Sequence, residues 1–399
     1  MRTLPSMNGL GDHPNMTAST AGGVDRRAFL ALSVAGAAAF LSACGEPPGS
    51  RANPSSDLDL PNAGAWVMPS EEAPHEATWM CWPSSTDVWG RDLPDVQAAI
   101  LRVVAAIARF EPVTVLARPN EAVTLRRHLG SEVEVIEGPV DDLWARDTLP
   151  CFLRSTSAGA RQPLVAGRVR FNGWGNKQGH GGDSQLAAHV ATTLGIPLVD
   201  SGLTGEGGGL EVDGRGTVLA ARSSWVNRNR NPGVSESEIA ARLVDLLGAK
   251  RLLWLDGIAG KDITDGHVDT LARFADPGTI VLDRPAYVEP GETWYDVSIA
   301  TRTTVKGFLD LNDKPYQTVA LTQPKSPRGR GDSFLSSYVN YYVCNGGVVA
   351  PQFGDARADA AAKSTLEDLY PDREVVLVDI DPIAAGGGGI HCATQQQPK

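Results

Sequence analysis

Asp95-Val-Gln-Ala-Ala-Ile-Leu-Arg-Val-Val-Ala-Ala-Ile-Ala-Arg-Phe110, running on into Pro112-Val-Thr-Val-Leu-Ala117, is the stretch from which the fold class is read. Val96, Ile100, Val103, Val104 and Ile107 recur at helical spacing, and the β-branched run after Pro112 reads as a strand. Glu121 to Leu129 then predicts a second helix and Val133-Glu-Val-Ile136 a second strand.

The same unit recurs outward along the chain. Helices are predicted over Ser184 to Leu194, Ser235 to Leu247 and Arg357 to Leu369, ahead of strands at Pro197 to Val199, Arg251 to Leu255 and Glu374 to Val378. Strand-rich pieces intervene at Gly216 to Ala220, Thr279 to Leu282 and Val339 to Val343. Helix and strand alternate in about five modules of roughly 50–70 residues, an α/β architecture with internal repetition. Loops of such a repeat converge and bring distant motifs together.

At 399 residues, 42% hydrophobic and 21% charged, the chain is long enough for a sizeable core without staples. A formal net charge of −11 argues against nucleic-acid binding and suits a small cationic substrate. Self-association is compatible with all of this. The five cysteines, at 44, 81, 151, 344 and 392, form no CxxC pair and no Cys/His ligand spacing, so neither a disulfide framework nor a metal site is expected, and no cofactor.

The N-terminus reads as a targeting segment. Arg26-Arg27 precedes an apolar and small-residue run from Ala28 to Ala43, which ends Leu41-Ser-Ala-Cys44. Twin arginines suggest Tat export, and small residues before a cysteine suggest a lipoprotein cleavage site. The expected organisation is a signal peptide over 1–43, a Pro/Gly/Ser-rich tether over 44–64 with a lipid on Cys44, and a catalytic domain over 65–399. Membrane attachment through that lipid would make the mature protein extracytoplasmic. A buried N-terminal helix is the plainer alternative, and Met7 and Met16 are alternative starts.

Five residues carry candidate chemistry. Cys392 follows Gly386-Gly-Gly-Gly-Ile-His391, where glycines permit close backbone approach to a ligand. Asp147 stands in Trp144-Ala-Arg-Asp147, Glu206 precedes three glycines, and His267 and Asp269 lie two apart, on one face if the segment is extended. Each has a plainer reading: an inert buried thiol, a surface partner of Arg146, a turn residue, a loop histidine, a helix N-cap. Together they supply a nucleophile, a general acid/base and three carboxylates. A guanidinium is flat, permanently charged and gripped bidentately by carboxylates, which would leave its central carbon facing a thiolate. The inventory therefore suits deimination through a covalent thiol adduct, the histidine protonating the departing amine and then activating water.

At these residues the chain resembles the agmatine deiminase and bacterial-type peptidylarginine deiminase family, within the guanidine-modifying pentein superfamily. The matching stretches are Met68 to Pro83, Trp144 to Asp147, Phe171-Asn-Gly-Trp-Gly175, Glu206 to Thr217, Gly266-His-Val-Asp269, Ser337 to Asn345, Pro351 to Asp355 and Gly386 to Gln397, in the family's order. The resemblance implies a five-module pseudo-symmetric α/β-propeller with its site on the central axis. It implies Cys392 as nucleophile, His267 as acid/base, and Asp147, Glu206 and Asp269 as carboxylates holding guanidinium and histidine. Trp82, Trp89, Trp174 and Asn345 fall in stretches that line such sites, with core packing the plainer reading for the indoles.

Two departures bear on substrate identity: Thr148-Leu-Pro150 replaces the family's usual Gly-Pro after the aspartate, and Gly175-Asn-Lys-Gln-Gly-His180 replaces a longer glycine-rich insertion. The activity expected is hydrolysis of agmatine to N-carbamoylputrescine and ammonia. Deimination of free or peptidyl-arginine to citrulline is the same chemistry on another substrate. A lipid-anchored protein that captures guanidino compounds explains the carboxylates but leaves Cys392 without a role.

Overall fold

The computed structural model describes residues 66–130, 132–157, 160 and 162–399. The signal-peptide and tether expectations over 1–64, Cys44 included, lie outside the described residues.

In chain order the strands are β1 (Trp66–Val67), β2 (His75–Cys81), β3 (Val113–Ala117), β4 (Val133–Glu137), β5 (Cys151–Ser155), β6 (Leu164–Arg170) and β7 (Leu198–Thr204). They continue with β8 (Leu210–Val212), β9 (Thr217–Ala221), β10 (Arg251–Leu255), β11 (Ala272–Asp276), β12 (Thr279–Arg284) and β13 (Gln317–Thr322). The last four are β14 (Tyr342–Cys344), β15 (Gly347–Gln352), β16 (Glu374–Asp379) and β17 (Thr394–Pro398).

They form five separate sheets with one recurring connection. A first strand pairs antiparallel with a second, a helix follows, and a third strand lies parallel to the second. The triples are β5-β6-β7, β8-β9-β10, β11-β12-β13 and β14-β15-β16. In the fifth, C-terminal β17 takes the first place beside β2 and β3, with β4 added outside, so the C-terminal strand completes a sheet begun by β2 near the start of the domain. A helix between parallel strands is what a crossover of this length needs.

The expected helices are all present. That over Leu93–Ile107 buries Val96, Ile100, Val103, Val104 and Ile107 on β15 and β16 of a neighbouring module. Glu236–Leu247 packs between β7 and β10, and Ala356–Leu369 between β13 and β16. The latter two helices thus each lie between strands of two sheets, and in all three the apolar stripe read from sequence is the face that packs. A helix over Thr293–Val305 has a weaker apolar stripe and was not expected. The strand expected over Val339 to Val343 is confined to Tyr342–Cys344, because residues 337–340 turn inward instead.

Candidate active site

The segments just before the first strand of each triple carry the polar residues of interest. Asp147 lies in a short helical turn, Ala145–Thr148, ahead of β5. Glu206 precedes the 3-10 turn Gly207–Gly209 and β8, and His267 precedes the 3-10 turn Val268–Thr270, which contains Asp269 and leads to β11. Asn340 lies two residues before β14, and Cys392 two before β17. Five equivalent positions of a repeat converge, and all six side chains are buried.

Around Cys392 the Sγ–H donates to Asp269 Oδ2 at 3.3 Å, and Asn340 Nδ2 donates to Sγ at 3.2 Å. Asn340 also reaches Asp269 Oδ2 at 3.2 Å, and the Cys392 amide donates to Asn340 Oδ1. His267 Nε2 stands 3.2 Å from Glu206 Oε2, and its Nδ1 3.8 Å from Asp147 Oδ1. Asp147 accepts from the Gly208 amide at 2.9 Å and from Trp174 Nε1 at 2.8 Å. Arg230 grips both oxygens of Glu206, at 2.8 and 2.9 Å.

Gly208 marks the centre of the cluster. A Cβ there would lie 2.7 Å from His267 Nδ1, 2.8 Å from Asp147 Oδ1 and 3.2 Å from Asp269 Oδ2. Three acidic and basic groups from two modules, set around a glycine of a third, therefore face one small volume. One acceptor of the set, Asp269 Oδ1, is buried with no partner, an arrangement that is costly unless a ligand donates to it.

The electrostatics follow from crowding. Burial, then Asp269 and Asp147, push the Cys392 thiol well above its ordinary value. Burial opposes a charge on His267, yet Asp147, Glu206 and Asp269 outweigh it and raise the imidazole to about 9. Burial raises Asp147, with Glu206 and Asp269 adding to the effect against His267 and Trp174. Despite burial, Arg230 and His267 hold Glu206 low, and His391 holds Asp269 low. Near neutral pH the cluster thus pairs a protonated thiol with an imidazolium. Among the described residues no group of three or more His, Cys, Asp or Glu side chains is placed to hold a metal ion.

Several sequence expectations meet the structure differently. His267 and Asp269 do not share a strand face; the 3-10 turn between them sends His267 to Glu206 and Asp269 to Cys392 and His391. Asn345 is a correction: it follows β14 where Asn340 precedes it, so it lies at the far end of that strand. Its amide exchanges hydrogen bonds with the His75 backbone at 2.8 and 3.0 Å. Asn340, within the same quoted stretch, is the asparagine at the thiol.

The glycines before Cys392 make room for side chains instead of lining a ligand themselves. Cβ atoms at Gly386, Gly388 and Gly389 would strike Trp89, Trp144 and Asn340. Trp82 and Trp89 pack in the hydrophobic cluster that includes Trp144, Trp174 and Cys392, and Trp89 donates to buried Asp142 at 2.7 Å. Glu71, Arg146, Glu211, Arg230, Arg273 and Asn340 were not singled out, since a lone charge or amide carries no signal until its partners are known.

Five ββαβ modules whose inner loops gather a thiol, an imidazole and three carboxylates define a pentein of the guanidine-modifying kind. The chain belongs to the Porphyromonas-type peptidyl-arginine deiminase family, whose model matches residues 67–398. It is 40% identical over 345 residues to a provisionally named agmatine deiminase of Streptomyces coelicolor, covering 83% of this chain and 98% of the relative. It is 36% identical over 361 residues to the agmatine deiminase of Stutzerimonas stutzeri, covering 85% and 97%. The solved agmatine deiminase of Enterococcus faecalis superposes with a TM-score of 0.77 at 28% identity, over 84% of this chain and 96% of that one.

Proposed function

We propose that the protein hydrolyses agmatine to N-carbamoylputrescine and ammonia, a step of polyamine metabolism. The observation that carries this is the convergence on Gly208, where Asp147, His267 and Asp269 face one volume beside Cys392 Sγ. A guanidinium there places N–H donors against Asp147 and the unpaired Asp269 Oδ1, with its carbon toward sulfur.

The bound cation offsets the carboxylates that keep the thiol protonated, and the Sγ proton is released to solvent. Thiolate attack forms the C–S bond and a neutral tetrahedral adduct. Imidazolium His267 protonates one nitrogen, the C–N bond breaks with its electron pair on ammonia, and a cationic thiouronium remains. Neutral His267 then takes a proton from water as hydroxide adds to carbon. The C–S bond breaks, the hydroxyl proton returns to sulfur and the ureido product leaves.

Agmatine is favoured over arginine by the cations around the site. An α-carboxylate needs a free positive partner, and among the described residues Arg146, Arg273, Arg230 and Lys177 are all committed to carboxylates. Arg146 and Arg273 bind Glu71, Arg230 binds Glu206 and Asp265, and Lys177 binds Asp265 at 2.7 Å. Purified enzyme assayed with agmatine, arginine and arginyl peptides for ureido product tests the choice; faster turnover of arginine or peptides would overturn it. Ammonia release that survives in Cys392→Ala would remove the nucleophile assignment and leave the guanidino-binding reading.

The twin-arginine segment and Leu41-Ser-Ala-Cys44 support Tat export with a lipid anchor on Cys44. Fractionation tests it: the wild type belongs with membranes, and Cys44→Ala loses that attachment.

A further inference from the structure

Beside the reacting groups lies a second set of buried charges that the proposed chemistry does not use. Arg146 adjoins Asp147, His391 adjoins Cys392, and Glu211 and Arg273 stand in β8 and β11. Arg146, Arg273 and His391 meet on Glu71, which comes from the segment between β1 and β2 and so belongs to none of the five converging loops. Glu71 accepts from Arg146 at 3.0 Å, from Arg273 at 2.8 Å and from the Val343 amide at 2.8 Å, and lies 3.0 Å from His391 Nε2. One carboxylate thereby ties four modules together. Glu211 brings in the fifth, 2.8 Å from Arg273 and 3.5 Å from His391.

This network ends at the nucleophile. His391 Nδ1 is 2.8 Å from Asp269 Oδ2, the same oxygen that accepts from Cys392 Sγ and Asn340, while Asp269 Oδ1 has no partner. A carboxylate rotor anchored by three donors on one oxygen cannot swing the other away. With Nδ1 on Asp269 and Nε2 facing Glu71 and Glu211, His391 is itself held against ring flips.

We propose that Glu71 and His391 are positioning residues for deimination: Glu71 holds the far nitrogen of His391, and His391 holds Asp269 so that Oδ2 meets Cys392 and Oδ1 stays unpaired for the guanidinium. The inference rests on the deiminase reading. It gives the histidine beside the nucleophile a task distinct from that of His267. His391 also holds Asp269 below the ordinary carboxylate range against the effect of burial, so the grip survives in mildly acidic solution. The charged and titratable groups facing Asp269 are His391, His267, Cys392 and Asp147. Those facing His391 are Asp269, Glu71 and Glu211, and those facing Glu71 include Arg146, Arg273, His391, Glu211, Tyr341 and Tyr342.

The test is the pH profile of kcat/KM for agmatine in Glu71→Gln and His391→Asn. Loss of the His391 anchor raises the pKa of Asp269, so the acid limb moves up by about one pH unit, about tenfold in rate at a fixed pH below it. KM rises more than kcat falls. A uniform drop at every pH overturns the proposal, and so does failure of both variants to fold by circular dichroism, since the pair would then be structural only. If the wild type proves inert toward agmatine, the deiminase reading falls. The positioning role is then read from the carboxyl carbon-13 titration of Asp269, which must move upward in both variants; an unmoved titration overturns it.

Discussion

Trp174 delivers its indole N–H to Asp147 Oδ2 at 2.8 Å from a left-handed backbone, φ 56° and ψ 45°, flanked by Gly173 and Gly175 at positive φ. A bulky residue in that region is strained, and it persists because Asn172 Oδ1 captures the Gly175 amide and Gln178 reaches Asp142. The strain places the only side-chain donor seen on Asp147 Oδ2 among the described residues.

Trp174→Phe keeps the ring and removes that donor. Asp147 is then free to rotate off the guanidinium, and kcat/KM for agmatine is expected to fall about tenfold, the scale of one hydrogen bond to a charged group. Steady-state kinetics beside a melting curve check this; an unchanged kcat/KM would deny Trp174 a part in holding Asp147.

Gly208→Ala adds one methyl where the substrate is expected. Its Cβ would approach His267, Asp147 and Asp269 within 2.7 to 3.2 Å, so one or more must give way. Activity is expected to drop at least about a hundredfold, by analogy with small misplacements of reacting groups, with the circular dichroism spectrum unchanged. Near-normal turnover would show that the guanidinium binds elsewhere.

His267 gives the activity a basic limb. In the proposed mechanism the imidazolium is the acid that protonates departing ammonia, and its pKa is raised to about 9, so kcat is expected to fall as pH rises through about 9. The stability linkage has the same sign: with the folded pKa above the unfolded 6.5, the charged ring's contribution is complete below about 6.5 and lost through about 9. His267→Asn should remove this dependence of the melting temperature; persistence of the full dependence would point to another group.

Asp283 supplies a second, separable pH effect. Burial raises its pKa to about 7 although Ser337 and Gln323 donate to it, and Ser337 begins the turn that carries Asn340. Its folded pKa lies above the unfolded 3.8, so the stability it contributes is complete near pH 4 and lost as pH rises through about 7. In Asp283→Asn the melting temperature between those limits should vary less than in the wild type; an equal slope would rule Asp283 out.

Much of the scaffold was legible because apolar periodicity survives in a linear string. Val96, Ile100, Val103, Val104 and Ile107 announced a helix, and they do seal β15 and β16. The helix over Thr293–Val305 escaped because its apolar positions scarcely separate from its polar ones. Cys392, His267, Asp147, Glu206 and Asp269 stood out as chemically able residues at element edges, and the structure gathers all five. Asn340 and Asn345 could not be told apart, since two asparagines five residues apart differ only in which end of a strand they occupy.

By itself, then, the sequence determined the α/β repeat and the candidate reacting groups, because hydrophobic period and side-chain chemistry are local properties. Only the tertiary structure decided that Asn340 is the amide at the thiol, that the glycines before Cys392 admit Trp89, Trp144 and Asn340, and that Glu71 and His391 converge on Asp269. Those relations join residues up to several hundred positions apart, and a contact between distant modules exists only once five sheets have fixed which loop ends face the centre.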